Sequence, residues 1–319
     1  MTRRFLSVVL SVVFLYSSAL GAQDALQVIS FNAGLAKALG ISLVPYVNQR
    51  LTQQITSLDA IVKPPFGLLL QEIWTKSAQK EYRKWAKSRG FHVASFDTNR
   101  NGLMIITSEP IESTKFRKFS QNTMGRRFGV LEAQIRFDGM SVRLLDAHTI
   151  FSSLTEVSKV HLSQLAEIAQ ITHETPHKPA IIGADLNVGP DLYFPNGTYD
   201  PAVEIWGKAF MTLLNPSWTW AGDRIEGVTW DQTGNPLVSK PLSVLKYLGV
   251  LDRDGSWGYS DSQLDHIFVS KQFIIEDVKI ILNEPVDIKG SKARAVPVSS
   301  GKTFLSDHYA CEALLTKRL

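Results

Sequence analysis

Along this chain, apolar β-prone runs repeatedly meet a carboxylate, an amide or an imidazole at one end, and this pairing constrains the fold most. It occurs at Asn32 after LQVISF, at Glu72 after GLLLQ, at His148, and at Asp185 with Asn187 after PAIIGA. It recurs at Asp265 with His266 ahead of IFV, and at Asp307 with His308 ahead of the last run. Continuous apolar runs of this length read as strands buried on both faces. Strand ends line up along one edge of a sheet, so groups placed there can share a pocket. Taken singly, each has a plain reading: an Asp after a strand is a turn or cap residue, and a His is a surface or hydrogen-bonded core residue. The recurrence makes the set a candidate site.

Between these runs, Pro45–Val62 carries Val47, Leu51, Ile55, Leu58 and Ile61 at helical spacing. Ser77–Arg89 reads as a helix stopped by Gly90, and Val157–Thr172 as another, with Val160, Leu165, Ile168 and Ile171 apolar. Ala202–Leu214 is a fourth predicted helix. Strands are predicted over Phe91–Phe96, Gly102–Ser108, Ile111–Phe119, Val130–Phe137 and Val142–His148, with Asp138-Gly139 as a hairpin turn. Late strands cover Asp265–Val269, Phe273–Leu282 and Tyr309–Leu315. Strands of mixed spacing with helices between them imply a two-layer sheet core flanked by helices.

The amino terminus stands apart. Arg3 and Arg4 precede the 12-residue apolar run Phe5–Tyr16, which gives way to small and polar residues up to Ala22. This is the pattern of a cleaved signal peptide over residues 1–22, and the run is short for a span of about 20 residues. A single domain over 23–319 and a secreted or periplasmic destination follow as expectations. Without Arg3 and Arg4, 32 basic residues face 30 acidic ones, so tight binding to a polyanion is not implied by net charge. The lone cysteine, Cys311, excludes an intrachain disulfide and any zinc site built on two cysteines.

Glu72, Asp185, Asp265 and Asp307 offer hard anionic oxygens, and Asn32 and Asn187 neutral ones. That donor set suits Mg²⁺, with Mn²⁺ or Ca²⁺ as alternatives. Histidines in such a pocket can serve as general base and phosphate clamp. Together the groups fit metal-assisted hydrolysis of a phosphoester.

Seven short segments also occur in a familiar order: Ser30–Asn32 (SFN), Leu70–Glu72 (LQE), Asn101–Ile111, Asp146–Thr149 (DAHT), Gly183–Asn187 (GADLN), Leu264–Ser270 and Ser306–Ala310 (SDHYA). In this the chain resembles the endonuclease/exonuclease/phosphatase superfamily, the fold of pancreatic deoxyribonuclease and the bacterial neutral sphingomyelinases. The resemblance implies an α/β four-layer sandwich of two packed mixed β-sheets flanked by helices. It implies Glu72 as the main metal ligand, helped by Asn32, with Asp307 in the outer metal shell. It gives His308 the role of general base and Asp265 that of orienting it. Asp185 and Asn187 would hold the nucleophile and a phosphate oxygen, His148 would donate to the phosphate, and Asn101 would help bind it.

Two features lean toward the sphingomyelinase-like branch: Gly227–Leu237 (GVTWDQTGNPL) resembles its TWD-x-x-x-N element, and Leu70–Ala78 its LQE-x-aromatic segment. The plain reading of Trp230 and Asp231 is a core aromatic beside a turn. Trp206, Trp218, Trp220, Trp230 and Trp257, with Tyr193, Phe194 and Tyr199, are candidates for a lipid-facing rim or for core, as is the apolar stretch 244–250. The branch often has a Lys-Gly pair where this chain has Arg127-Phe128-Gly129-Val130, with Arg126 or Arg127 as the substitute, and an aromatic where this chain has His266. The expected partner is therefore a phospholipid at a membrane surface, acted on by a monomer without a protein partner. The alternative is nucleic acid, for which Lys115, Arg117, Lys118, Arg126 and Arg127 form a basic cluster. Asn196-Gly197-Thr198 is a sequon that matters only in a eukaryotic secretory route.

Overall fold

Leu26–Asn32, Phe66–Gln71, Ala180–Asp185 and Asp265–Ser270 are buried along their whole lengths. A strand covered on both faces needs a sheet on one side and helices on the other. The computed structural model has that architecture. It describes residues 25–35, 37–38, 41–42, 44, 47–96, 98–122, 127–150, 155–190, 206–211, 214, 217–239, 261–287 and 302–318. The main elements are β1 (Leu26–Asn32), α1 (Val47–Ile61), β2 (Phe66–Gln71), α2 (Lys76–Ser88), β3 (His92–Ala94), β4 (Met104–Thr107), β5 (Ile111–Lys118) and β6 (Gly129–Phe137). There follow β7 (Met140–His148), α3 (Thr155–His173), β8 (Ala180–Asp185), β9 (Trp218–Trp220), β10 (Asp265–Ser270), β11 (Phe273–Ile281) and β12 (Ala310–Lys317).

One six-stranded sheet has the order β11-β12-β1-β2-β4-β3 and the other β9-β10-β8-β7-β6-β5. β1 runs parallel to β2, and β7 to β8, while their other neighbours are antiparallel, so both sheets are mixed. Val28, Leu69, Leu144, Ile181, Ile267 and Ala313 fill the space between the sheets. Residues of α1 and α2 close the outer face of the first sheet over Ile29, Phe31, Leu68 and Leu70. α3 and the π-helical turn Trp206–Met211 close the second over Ile182, Ala184 and Phe268. Three apolar layers between four structural ones are the expected sandwich.

Most predicted elements return within two residues. Asp138 (φ 46°) and Gly139 (φ 73°) both adopt the left-handed turn that suits a two-residue hairpin. α2 begins where Thr75 accepts the Ala78 amide at 3.2 Å and stops before Gly90, at φ 74°. Two expectations are corrected. The helix predicted over Ala202–Leu214 is, among the described residues, the π-helical turn Trp206–Met211 with Leu214 helical beyond it. In α1 the buried stripe is Val47, Arg50, Leu51, Gln54 and Leu58, with Ile55 and Ile61 only partly covered. No helix among the described residues is long and apolar enough to cross a membrane. Residues 1–22, Arg126, Tyr193, Phe194, Tyr199, the sequon, stretch 244–250 and Trp257 lie outside the described residues.

Candidate active site

Strand register decides which of the polar strand ends meet. Asp185 pairs with His148 across the parallel β8–β7 ladder and with Asp265 across the antiparallel β8–β10 ladder. Paired residues share a face, here the inter-sheet face that also carries Ile181, Ile267 and Leu144. In the opposite sheet Asn32 pairs with Gln71, which leaves Glu72 one residue beyond the strand. Two half-sets of polar groups therefore cap the inter-sheet core from opposite sides. Asn32 joins them: its Nδ2 donates to Asp185 Oδ2 at 2.7 Å.

Alternation along β2 would turn Glu72 away from Gln71, toward the helical side. Its left-handed backbone, φ 59°, breaks that alternation, and its Oε1 lies 4.0 Å from His148 Nε2. His148 Nε2 is in turn 3.4 Å from Asp185 Oδ2. Asn187 is also left-handed, φ 50°. Its backbone N–H donates to Asp185 Oδ1 at 2.9 Å and its Nδ2 to the Thr149 carbonyl at 3.0 Å. Non-glycine residues held there cost about 1–3 kcal/mol each, a cost that clusters at working sites.

His308 precedes β12 in the first sheet, whereas Asp265 opens β10 in the second. The pair meets across the gap, His308 Nδ1 to Asp265 Oδ2 at 2.8 Å. Burial opposes charge on His308, but Asp265, Asp185 and Asp307 around it prevail and raise its pKa well above the usual histidine value. Burial pushes Asp185 up to about 7, reinforced by Asp265 and opposed by His308. Below the site lies a polar step between the sheets. Gln71 Nε2 donates to Asp146 Oδ1 at 2.7 Å, and burial raises the Asp146 carboxyl well above the usual range.

The donor set fits a hard divalent cation. Asp185, Asp265 and His308 present ligand atoms within 4.8 Å of one another. Asp265 Oδ1 is buried and has no hydrogen-bond partner among the described residues. Because His308 Nδ1 is engaged with Asp265, the oxygens of Glu72, Asn32, Asp185 and Asp307 are the better-suited donors. Asp307 Oδ1 takes a hydrogen bond from Ser306 Oγ at 3.0 Å. It lies against Gly34 (φ 57°), where a Cβ would come within 2.3 Å of that oxygen, so only glycine fits there.

Asn101 is placed differently from the rest. Its Nδ2 donates to the Phe96 carbonyl and its Oδ1 accepts the Leu103 amide at 2.9 Å. The amide thus shapes its own loop, whose Gly102 sits under Trp74. Trp74 and Phe128 flank the His148 ring at centroid distances of 6.3 and 5.3 Å. His266 lies on the outer face of β10. Its Nε2 lies 2.7 Å from the Val188 carbonyl and its Nδ1 accepts Trp220 Nε1 at 3.2 Å, among Trp206 and Phe268. Trp230 packs edge-on against the His308 ring, 5.0 Å between centroids.

Arg50 and Gln54 have no place in the sequence-based site. Arg50, fully buried, donates to the carbonyls of Ala33, Gly34 and Leu305 at 3.2, 2.6 and 2.8 Å. Gln54 donates to Ala33 and Leu305 at 2.7 Å each and accepts the Tyr82 hydroxyl. Together they fasten the loop after Asn32 to the loop before Asp307. Burial lowers the Arg50 pKa to about 10, against the pull of Asp307 and Glu72. The signal was present: Val47, Leu51, Gln54 and Leu58 follow helical spacing, with Arg50 beside them.

Residues 30–308 match the Endonuclease/Exonuclease/phosphatase family. No curated protein sequence matches significantly. Among solved structures, Sphingomyelinase C from Streptomyces griseocarneus is 13% identical with a TM-score of 0.64, over 91% of this chain and 99% of that one. TDP2 from D. rerio, complexed with single strand DNA product, is 18% identical with a TM-score of 0.62, over 92% and 99%. Beta toxin from Staphylococcus aureus is 17% identical with a TM-score of 0.61, over 90% and 98%. At these identities the likenesses concern the fold.

Proposed function

The chain belongs to the endonuclease/exonuclease/phosphatase family, and from that premise we propose an exported, Mg²⁺-dependent phosphodiesterase of the sphingomyelinase C type. The observation that carries the hydrolytic reading is the His308–Asp265 pair beside Asp185 and Glu72. Asp265 holds Nδ1 of His308, so Nε2 is the nitrogen that would take the proton from an attacking water once a cation beside Asp185 and Asp307 offsets the carboxylate charge that otherwise keeps the imidazole protonated. Asp185 and Asn187, fixed by Asn32 and Thr149, orient that water and a phosphate oxygen. His148, between Glu72 and Asp185, donates to the phosphate as charge builds on it. Glu72, Asn32 and Asp307 would hold the cation, which would supply charge stabilisation to the phosphoryl oxygens and the leaving group.

The lipid reading is supported by Trp74 two residues after Glu72, by the 229–235 segment seated against His308, and by the sphingomyelinase among similar folds. Cleavage would release phosphocholine and leave ceramide. One observation favours a nuclease instead: Phe96 is half-exposed and stacked on Phe116 (5.4 Å, 16°), with Lys115 and Arg100 exposed nearby. Such aromatic and basic surfaces suit single-stranded nucleic acid. The test is to incubate residues 23–319 with sphingomyelin vesicles, phosphatidylcholine vesicles and supercoiled plasmid, with Mg²⁺ or with EDTA. Chelator-sensitive phosphocholine release from sphingomyelin is expected. Plasmid nicking without phosphocholine release would replace the lipid reading by the nuclease one.

A further inference from the structure

The two members of the Asp265–His308 pair come from different sheets, so something must hold those sheets in register at that point. The segment 229–235 touches both. Thr229 Oγ1 accepts the amides of Leu264 and Asp265 at 2.9 and 3.0 Å. The Thr229 carbonyl accepts the amide of Tyr309, next to His308, at 2.8 Å. Thr229 is fully buried and thus ties the Asp265 strand to the His308 strand through one residue. Trp230 lays its ring edge on the imidazole. Asn235 Nδ2 donates to the Ser306 carbonyl at 2.9 Å, and Asp231 Oδ2 accepts the Tyr309 hydroxyl at 3.0 Å. His308 is therefore bracketed on both sides along the chain and across its ring.

We propose that Thr229, Trp230 and Asn235 are positioning residues that set the geometry of the Asp265–His308 pair across the sheet boundary. None needs to touch substrate; their effect passes through the imidazole. The kinetic part of the test rests on the phosphodiesterase reading above, and a spectroscopic part is independent of it. Displacing a catalytic group by about 1 Å can cost on the order of 10²-fold in rate.

The variants are Thr229→Val, which keeps shape and removes the acceptor, Thr229→Ser, which restores it, and Trp230→Leu, which leaves the Thr229 bonds in place. Hydrolysis of bis(p-nitrophenyl) phosphate gives kcat and KM without assuming a natural substrate. Proton NMR follows the low-field Nδ1–H of His308 shared with Asp265. Thr229→Val is expected to lower kcat by roughly 10²-fold with KM nearly unchanged, and to lose the low-field signal. Thr229→Ser is expected to recover both, and Trp230→Leu to weaken both. A folded Thr229→Val with wild-type kcat and an intact signal would overturn the proposal. If Thr229→Val does not fold, Trp230→Leu decides it, and an unchanged signal there overturns it. If the wild-type chain hydrolyses no diester, the functional reading fails, while the NMR comparison still judges the positioning role.

Discussion

His308 and His266 are buried to a similar degree, yet their surroundings drive them to opposite charge states. His308 sits beside Asp265, Asp185 and Asp307 and holds its proton well above the usual histidine pKa. His266 follows Asp265 directly in β10 but faces the outer layer. There a carbonyl, an indole N–H and aromatic rings surround it, and burial lowers its pKa to about 4. One step along a strand reverses the face and with it the chemistry. Burial alone favours the neutral imidazole; burial among acidic side chains favours the protonated one.

This contrast can be attacked at several points. Replacing His308→Ala should lower diester hydrolysis by about 10²-fold or more, with the circular dichroism spectrum unchanged; full activity would remove His308 from the chemistry. Asp265→Asn takes away the principal partner and should make His308 behave like His266. Its pKa, read by imidazole NMR, should fall, with a rate loss of about tenfold or more. Stability should change with pH in opposite senses at the two sites. The raised pKa of His308 contributes stability below the unfolded value of about 6.5, lost as pH rises through the folded value. Denaturant midpoints of the wild-type chain should therefore decline on the alkaline side more than those of Asp265→Asn.

The lowered pKa of His266 has the reverse effect, with stability present above about 6.5 and lost as pH falls toward about 4. On linkage that amounts to about 3 kcal/mol. His266→Phe should flatten this acid loss in urea titrations while hydrolysis stays within about twofold of wild type. His161, also lowered to about 4 by burial and bonded to the Leu186 carbonyl, supplies a second part of the acid sensitivity. The smallest effect is expected from Trp220→Phe. Losing its hydrogen bond to His266 should cost about 1 kcal/mol in the denaturation midpoint, with no change in turnover.

The sheets and most helices were legible because apolar periodicity and turn residues mark them directly. The site was legible in part, since a polar group ending an apolar run announces itself, as at Asn32, Glu72, Asp185 and Asp265. What the sequence hides is support from residues with no unusual local context. Gln54 falls on the apolar stripe of its helix and Arg50 lies beside it, but nothing local says which two loops they hold. Thr229 has no distinguishing local pattern, and only the fold puts its hydroxyl on the Asp265 amide. At Asn101 the fold adds a contact no resemblance announces: its amide also binds the neighbouring backbone at Phe96 and Leu103. Such roles depend on tertiary register, which no window of sequence carries.

The bond from Asn32 to Asp185 and that from His308 to Asp265 each stitch one sheet to the other. Neither layer owns a complete set of reactive groups, so shearing the sandwich by even one residue would scatter them. Hydrolysis by this chain is therefore a gauge of how its two halves are aligned. During heating or denaturant challenge, turnover should vanish when the layers begin to slip, ahead of any loss of the strands themselves.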